Sequence, residues 1–302
     1  MIKNAAPLVS VVIPSYNHAR YLGRALQSLI DQTYTNWNAI IVDNHSTDNT
    51  DEVVASFSDF RISYFKIHNG GVIGASRNVG ICASRGEWIA FLDSDDWWKP
   101  EKLLTCIMQI HDKVDFIYHD VKIMRSSSSL LKRRNLKSRK LRKPILIDLL
   151  NNGNIICNSS VMVRKSILNR VGGVSEKIDM ISSEDYNTWL KVSEITDGFV
   201  HIPKYLGYYT VHQNNISKKN NYLSWKSSVE QFKHMLSLEQ LNRLDSKCSY
   251  LNARFKYAKG HYFDASSEII NCLRYADLNI RIRATITLII IIIKIKFSRK
   301  LN

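Results

Sequence analysis

The segment Trp88-Ile89-Ala90-Phe91-Leu92-Asp93-Ser94-Asp95-Asp96 constrains the fold most, because an apolar run stops abruptly in three carboxylates within four residues. A short continuous apolar run ended by polar residues is the pattern of a buried strand whose carboxyl end opens into a loop. Three acids crowded at that end repel one another, and a divalent cation held by oxygen ligands relieves the repulsion. The same acids also suit a solvated turn capping the helix that follows near Lys99-Pro100-Glu101, and spacing alone leaves both readings open.

The chain before this segment sets the context. Leu8 to Ile13 reads as a buried strand, Pro14-Ser15-Tyr16-Asn17 as a turn, and Leu22, Ala25, Leu26, Leu29 and Ile30 as one face of a helix. Asn38 to Asp43 is a second strand, followed by the polar loop Asn44 to Asp48 and a helix carrying Val53, Val54 and Phe57. Arg61 to Ile67 is a third, and Gly70 to Gly80 leads into a helix that continues to about Ala83. Strands alternating with helices predict an α/β fold with a mostly parallel sheet, covered on both faces and carrying its site at the carboxyl ends of the strands. Tyr16, Asn17, Asp43, Asp93 and Asp95 then gather on one rim, which suits a nucleotide.

Beyond Lys99, Leu103, Leu104, Ile107 and Ile110 mark a helix and Phe116-Ile117-Tyr118 a strand. Ser126 to Ser129 and eight basic residues between Lys132 and Lys143 form a segment without hydrophobic periodicity, taken as a basic flexible loop over about residues 125–143. It suits a solvated loop, a flap or a contact with anionic lipid. The absence of aromatic residues from this run argues against nucleic acid as the partner. Ser159 to Val163 reads as a strand. Ser182-Ser183-Glu184-Asp185 opens a helix with Trp189, Leu190 and Val192 inward, the two serines being candidate caps and the acids also suiting the helix dipole. Phe199 to Val211 reads as two short strands around Pro203, and from Tyr222 onward the pattern is helical. The boundary falls near Lys218-Lys219-Asn220-Asn221, giving a sheet domain over residues 1–218 and a helical region over 219–302.

The net charge of +15 favours an anionic partner without choosing among nucleotide, nucleic acid and acidic membrane. Five scattered cysteines suggest neither a disulfide framework nor a zinc site and fit a reducing, cytoplasmic compartment. Ile286 to Phe297 holds seven isoleucines flanked by Arg281, Arg283, Lys294, Lys296, Arg299 and Lys300. It is shorter than the roughly 18–20 apolar residues of a spanning helix. It suits either an interfacial helix on an anionic membrane surface or a terminal helix packed on the protein itself.

Five motifs in order, Val11 to Asn17, Val42 to Asp48, Gly74 to Gly80, Phe91 to Asp96 and Ser183-Glu184-Asp185, resemble those of family 2 inverting glycosyltransferases of the GT-A fold, the bacterial surface-polysaccharide type, over roughly residues 7–217. The resemblance implies that Pro14, Tyr16 and Asn17 line the nucleotide of a UDP-sugar, that Asp43 meets the uracil, and that Arg77 lies near the diphosphate or ribose. It further implies that Asp93 and Ser94 contact the nucleotide, and that Asp95, with Asp93 and the late His212, holds Mn²⁺ or Mg²⁺. By the same resemblance Asp185 is the general base, Glu184 supports it or the acceptor, and Trp189 borders the acceptor side. His212 departs from the usual context, being followed by Gln213-Asn214-Asn215. The expected reaction is transfer of a hexose, with glucose as the guess, to a lipid-pyrophosphate-linked saccharide in O-antigen or polysaccharide assembly at the inner face of the cell membrane. A sugar-nucleotide-forming nucleotidyltransferase would instead want a glycine-rich basic loop where this chain has Pro14-Ser15-Tyr16-Asn17. An inactive membrane-binding scaffold would not need Asp95 and Asp185.

Overall fold

The computed structural model describes residues 6–125, 135–212 and 222–298. Its first half alternates as the sequence predicts: β1 (Val9–Ser15), α1 (Ala19–Ile30), β2 (Trp37–Asp43), α2 (Thr50–Ala55), β3 (Ile62–Lys66), α3 (Ile73–Ala83) and β4 (Trp88–Phe91). Every residue of β1, β2 and β4 is buried, as apolar strands covered on both faces require. The second half follows as β5 (Trp97–Trp98), α4 (Lys102–Ile107), β6 (Phe116–Arg125), β7 (Asn135–Leu136), α5 (Ile145–Asn152), β8 (Met162–Arg164), α6 (Lys165–Arg170), α7 (Glu184–Ile195) and β9 (Phe199–Val211).

One mixed sheet runs β3-β2-β1-β4-β8-β6-β9-β5, with β7 beside β6. The first four strands are parallel, and the order reverses between β1 and β4, where open α/β sheets bind ligands outside the strands' carboxyl ends. The expectation of a mostly parallel sheet holds only for this half. β8 pairs antiparallel with both β4 and β6, and β5 antiparallel with β9. Antiparallel pairing needs no crossover helix, so the strand-helix rhythm carries no signal of it. Phe199–Val211 is one long strand and not two, because irregularities in its pairing with β6 after His119 and Asp120 absorb Pro203 and its neighbour.

Helices α8 (Tyr222–Glu230), α9 (Leu238–Ala258), α10 (Tyr262–Leu273) and α11 (Leu278–Ser298) complete the chain. The expected boundary near Lys218 lies outside the described residues. Trp225 and Val229 of α8 and Phe232 just after it, with Leu244 and Cys248 of α9, share a core with Leu149, Tyr186 and Trp189, so these helices extend the sheet domain. A separate small core joins Ala253, Ala265, Ile269, Ala284 and Ile291. The basic segment is also partly built in. Ser126 to Ser129 and Lys132 to Arg134 lie outside the described residues, but Leu141 is buried, Tyr118 Oη donates to the Arg139 carbonyl at 2.6 Å, and Arg139 pairs with Asp148 at 2.6 Å. A flexible loop therefore does not describe residues 138–142.

Candidate active site

The rim at the β1/β4 reversal is organised by Arg77. α3 lies close on β1 because residue 80 is glycine; a Cβ there would stand 2.5 Å from Val12 Cγ1. Arg77, one turn earlier, is thereby held in the interior, with Nη1 2.6 Å from Glu184 Oε1 and Nη2 2.9 Å from Asp93 Oδ1. Burial opposes its charge, but Asp93 and Glu184 more than offset that and raise its pKa above the ordinary value. Arg77 is thus engaged by two carboxylates of the protein, where the resemblance placed it beside the diphosphate or ribose. It ties the acidic end of β4 to the start of α7. Glu184 accordingly serves Arg77, and its Oε2 is buried without a hydrogen-bond partner among the described residues.

The three carboxylates after β4 separate into different tasks. Asp96 is fully buried and accepts from the Thr210 amide at 2.8 Å and Ser159 Oγ at 2.5 Å, pinning the loop to β9 and the turn before β8. Burial, then Asp95 and Asp93, push its carboxyl well above the usual range. Asp93 Oδ1 accepts from Asn158 Nδ2 at 2.9 Å as well as from Arg77. Asp95 Oδ2 lies 2.9 Å from His212 Nε2. Burial, followed by the charge of Asp93, raises the Asp95 carboxyl above its ordinary value. The raised Asp95 carboxyl marks a shortage of positive charge at this end of β4, so Asp95 and the neighbouring Asp93 fit a divalent cation as oxygen donors. Among the described residues, no three His, Cys, Asp or Glu side chains form a ligand set by themselves. Ser94 is buried with Oγ 2.8 Å from His18 Nδ1, which makes it a support of the rim.

On the other side, Pro14 sits within β1 opposite Val42, and Tyr16 projects from its end, 53% exposed. Asn17 adopts a positive φ of 50° and its Oδ1 accepts from the Thr47 amide at 2.7 Å. Asp43 is fully buried, and its two oxygens accept from the Ser46 amide and hydroxyl at 2.7 and 2.5 Å. Its observed contacts shape the loop after β2, whereas the resemblance assigned it to the uracil.

Asp185 stands in the first turn of α7, with Asn154 Nδ2 donating to its Oδ2 at 3.2 Å. Burial, reinforced by neighbouring Glu184, raises its carboxyl to about 7. A carboxylate poised there can accept a proton near neutral pH. The expected serine caps are not formed: Ser183 holds the capping position, but its hydroxyl meets Ser224 Oγ at 3.2 Å. Trp189 does not border the acceptor side, since it is buried against Phe91 and Phe116.

Several rim residues carried no recognised signal. Tyr21 stacks on His212 with ring centroids 5.2 Å apart, and His18 meets the same ring edge-on. Arg24 lies 3.4 Å over the Trp97 ring and donates to the Asp95 carbonyl at 3.0 Å. His18, Tyr21 and Arg24 repeat every third residue, a polar helix face turned to the rim that could have been read from sequence. Asn154, Asn158, Ser159 and Thr210 reach the site only through the fold.

Residues 10–172 match the model of glycosyl transferase family 2. The chain is 31% identical over 200 residues to the UDP-Glc:alpha-D-GlcNAc-diphosphoundecaprenol beta-1,3-glucosyltransferase WfgD of Escherichia coli, covering 64% of this chain and 75% of that protein. It is 28% identical to the chondroitin synthase of E. coli over 83% of this chain and 34% of that one. Among solved structures, S. aureus TarS 1-349 in complex with UDP-GlcNAc superposes with a TM-score of 0.66 at 15% identity, over 97% of this chain and 91% of that one. With more than half its length matched and the acidic rim in place, the chain belongs to glycosyl transferase family 2.

Proposed function

We propose that the chain transfers a hexose, with glucose as the first candidate, from a UDP-sugar to a hydroxyl of a lipid-diphosphate-linked saccharide, inverting the anomeric configuration, as a step of bacterial polysaccharide assembly. The observation that carries the reading is Asp185, a carboxyl held near 7 and connected by Glu184 and Arg77 to the acidic rim at the β4 terminus. The names of the relatives, a glucosyltransferase acting on a diphosphoundecaprenol-linked sugar and a chondroitin synthase, support the donor and acceptor classes.

In this reading Tyr16 and Asn17 border the nucleotide. Asp93 and Asp95 would hold Mn²⁺ or Mg²⁺, with His212 fixing Asp95. When bound, the cation supplies positive charge for the departing diphosphate. Asp185 takes the proton from the acceptor hydroxyl as that oxygen attacks the anomeric carbon opposite the leaving UDP. Asn154 orients the carboxylate. Arg77 keeps Glu184 from adding its full charge beside Asp185.

The test is a panel of UDP-sugars with Mn²⁺, scored by UDP release with and without a synthetic lipid-diphosphate-linked N-acetylhexosamine. Acceptor-dependent release from one donor supports the reading and names the sugar. Release that ignores the acceptor, or none with any donor, contradicts it.

A further inference from the structure

α11 is apolar on two opposite faces. Ala284 and Ile291 are fully buried in the small core shared with α9 and α10, with Ile280 and Leu288 packed beside them. Leu278, Ile282, Ile286, Ile289, Ile290 and Ile293 are exposed, each by 43% or more of its surface. At about 100° per residue these six fall within an arc of about 120°, centred opposite Ala284 and Ile291. The stripe extends about 22 Å along the axis. Exposed apolar surface of this extent marks an interaction site.

The borders of the stripe say what covers it. Arg283 and Lys294 lie exposed along one edge and Arg281 beyond the other. After Asp277 the sequence contains six basic residues and no acidic one. A second copy of this face would set cations against cations with no carboxylate to pair them, which disfavours self-association. Anionic headgroups complement the same pattern, because basic side chains reach the phosphates while the isoleucines enter the acyl boundary. Among the described residues no helix is long and apolar enough to cross a membrane.

We propose that the outward face of α11 lies in the surface of an anionic lipid bilayer, its axis along the membrane plane, held by the isoleucine stripe and flanked by Arg281, Arg283 and Lys294. This surface is independent of how the active site is read.

The test is flotation of the full chain with vesicles of phosphatidylglycerol and phosphatidylcholine, compared with phosphatidylcholine alone. The chain floats with the anionic vesicles and much less with the neutral ones. The double variant Ile286→Asp/Ile293→Asp, changed at exposed positions and so melting like the parent, loses more than about tenfold in partitioning. Arg283→Gln/Lys294→Gln weakens it by about fivefold for each cation removed, and added salt does the same. No flotation with anionic vesicles overturns the proposal, as does flotation that the aspartates leave unchanged. An oligomer that the aspartates dissociate, in a chain that ignores vesicles, assigns the face to a second copy instead.

Discussion

Arg77→Met removes the cation between Asp93 and Glu184 while keeping a long side chain in place. The Arg77 and Glu184 side chains are 4% and 8% exposed and 2.6 Å apart, whereas Asp93 is 25% exposed and keeps its bond from Asn158. The loss therefore falls mainly on Glu184, whose buried carboxyl loses the cation 2.6 Å away. Breaking a buried pair from one side costs about 3–5 kcal/mol. At about 2 °C per kcal/mol for a chain of this size, the melting midpoint falls by about 6–10 °C at neutral pH. Scanning calorimetry reads this directly. Arg77→Lys keeps the charge but lacks the planar fork, so its midpoint lies between the two. A second readout separates this network from simple packing. The charge of Arg77 lowers the pKa of Asp185, so its removal moves the ascending limb of the kcat/KM profile to higher pH. A midpoint within about 2 °C of the parent, with an unmoved limb, would show that Arg77 does not hold Glu184 and Asp93 together.

Other expectations follow from the same contacts. The parent enzyme's kcat/KM rises with pH until the base is ionised, levelling above about 7; a limb centred near 4 would show that the base is not a carboxyl raised by burial. Asp185 has a folded pKa of about 7 against about 3.9 unfolded, so the folded state binds the extra proton between these values and its stability from this group falls as pH rises through that window. The melting difference between Asp185→Asn and parent should therefore grow in favour of the variant from pH 4 to pH 7, and a difference constant with pH contradicts it. Asp95→Ala should remove most of the gain in UDP affinity that Mn²⁺ confers, read by calorimetry with and without chelator; an unchanged gain excludes Asp95 as a ligand. Gly80→Ala, with its Cβ 2.5 Å from Val12, should destabilise by about 1–3 kcal/mol, and a melting point equal to the parent's would show that α3 can shift away from β1.

What the sequence revealed depended on how local each signal was. β1, β2 and β4 are buried apolar runs, and the acids ending β4 are contiguous, so the parallel half of the sheet and its rim could be read directly. The strand expected over Ser159 to Val163 is present as Met162–Arg164, after a short 3-10 turn at Asn158–Ser160, but its antiparallel pairing carried no local signal, and the single strand Phe199–Val211 was hidden by a proline that bulges absorb. The resemblance placed Arg77, Asp93, Asp95, Glu184, Asp185 and His212 together but not which of them pair. Arg77 meets Glu184 from 107 positions away, and Thr210 meets Asp96 from 114. Contacts of that separation exist only once the sheet is assembled. Trp189 illustrates the converse: an aromatic one turn after a candidate base suggests an acceptor wall, yet apolar burial claims it for the core.

Whether Asp185 is the base of an inverting transfer is read from the rate of the Asp185→Asn variant at saturating donor and acceptor. The expected kcat is about a hundredfold to ten-thousandfold lower, while the affinity for UDP stays that of the parent. A variant that turns over at the parent's rate would contradict it.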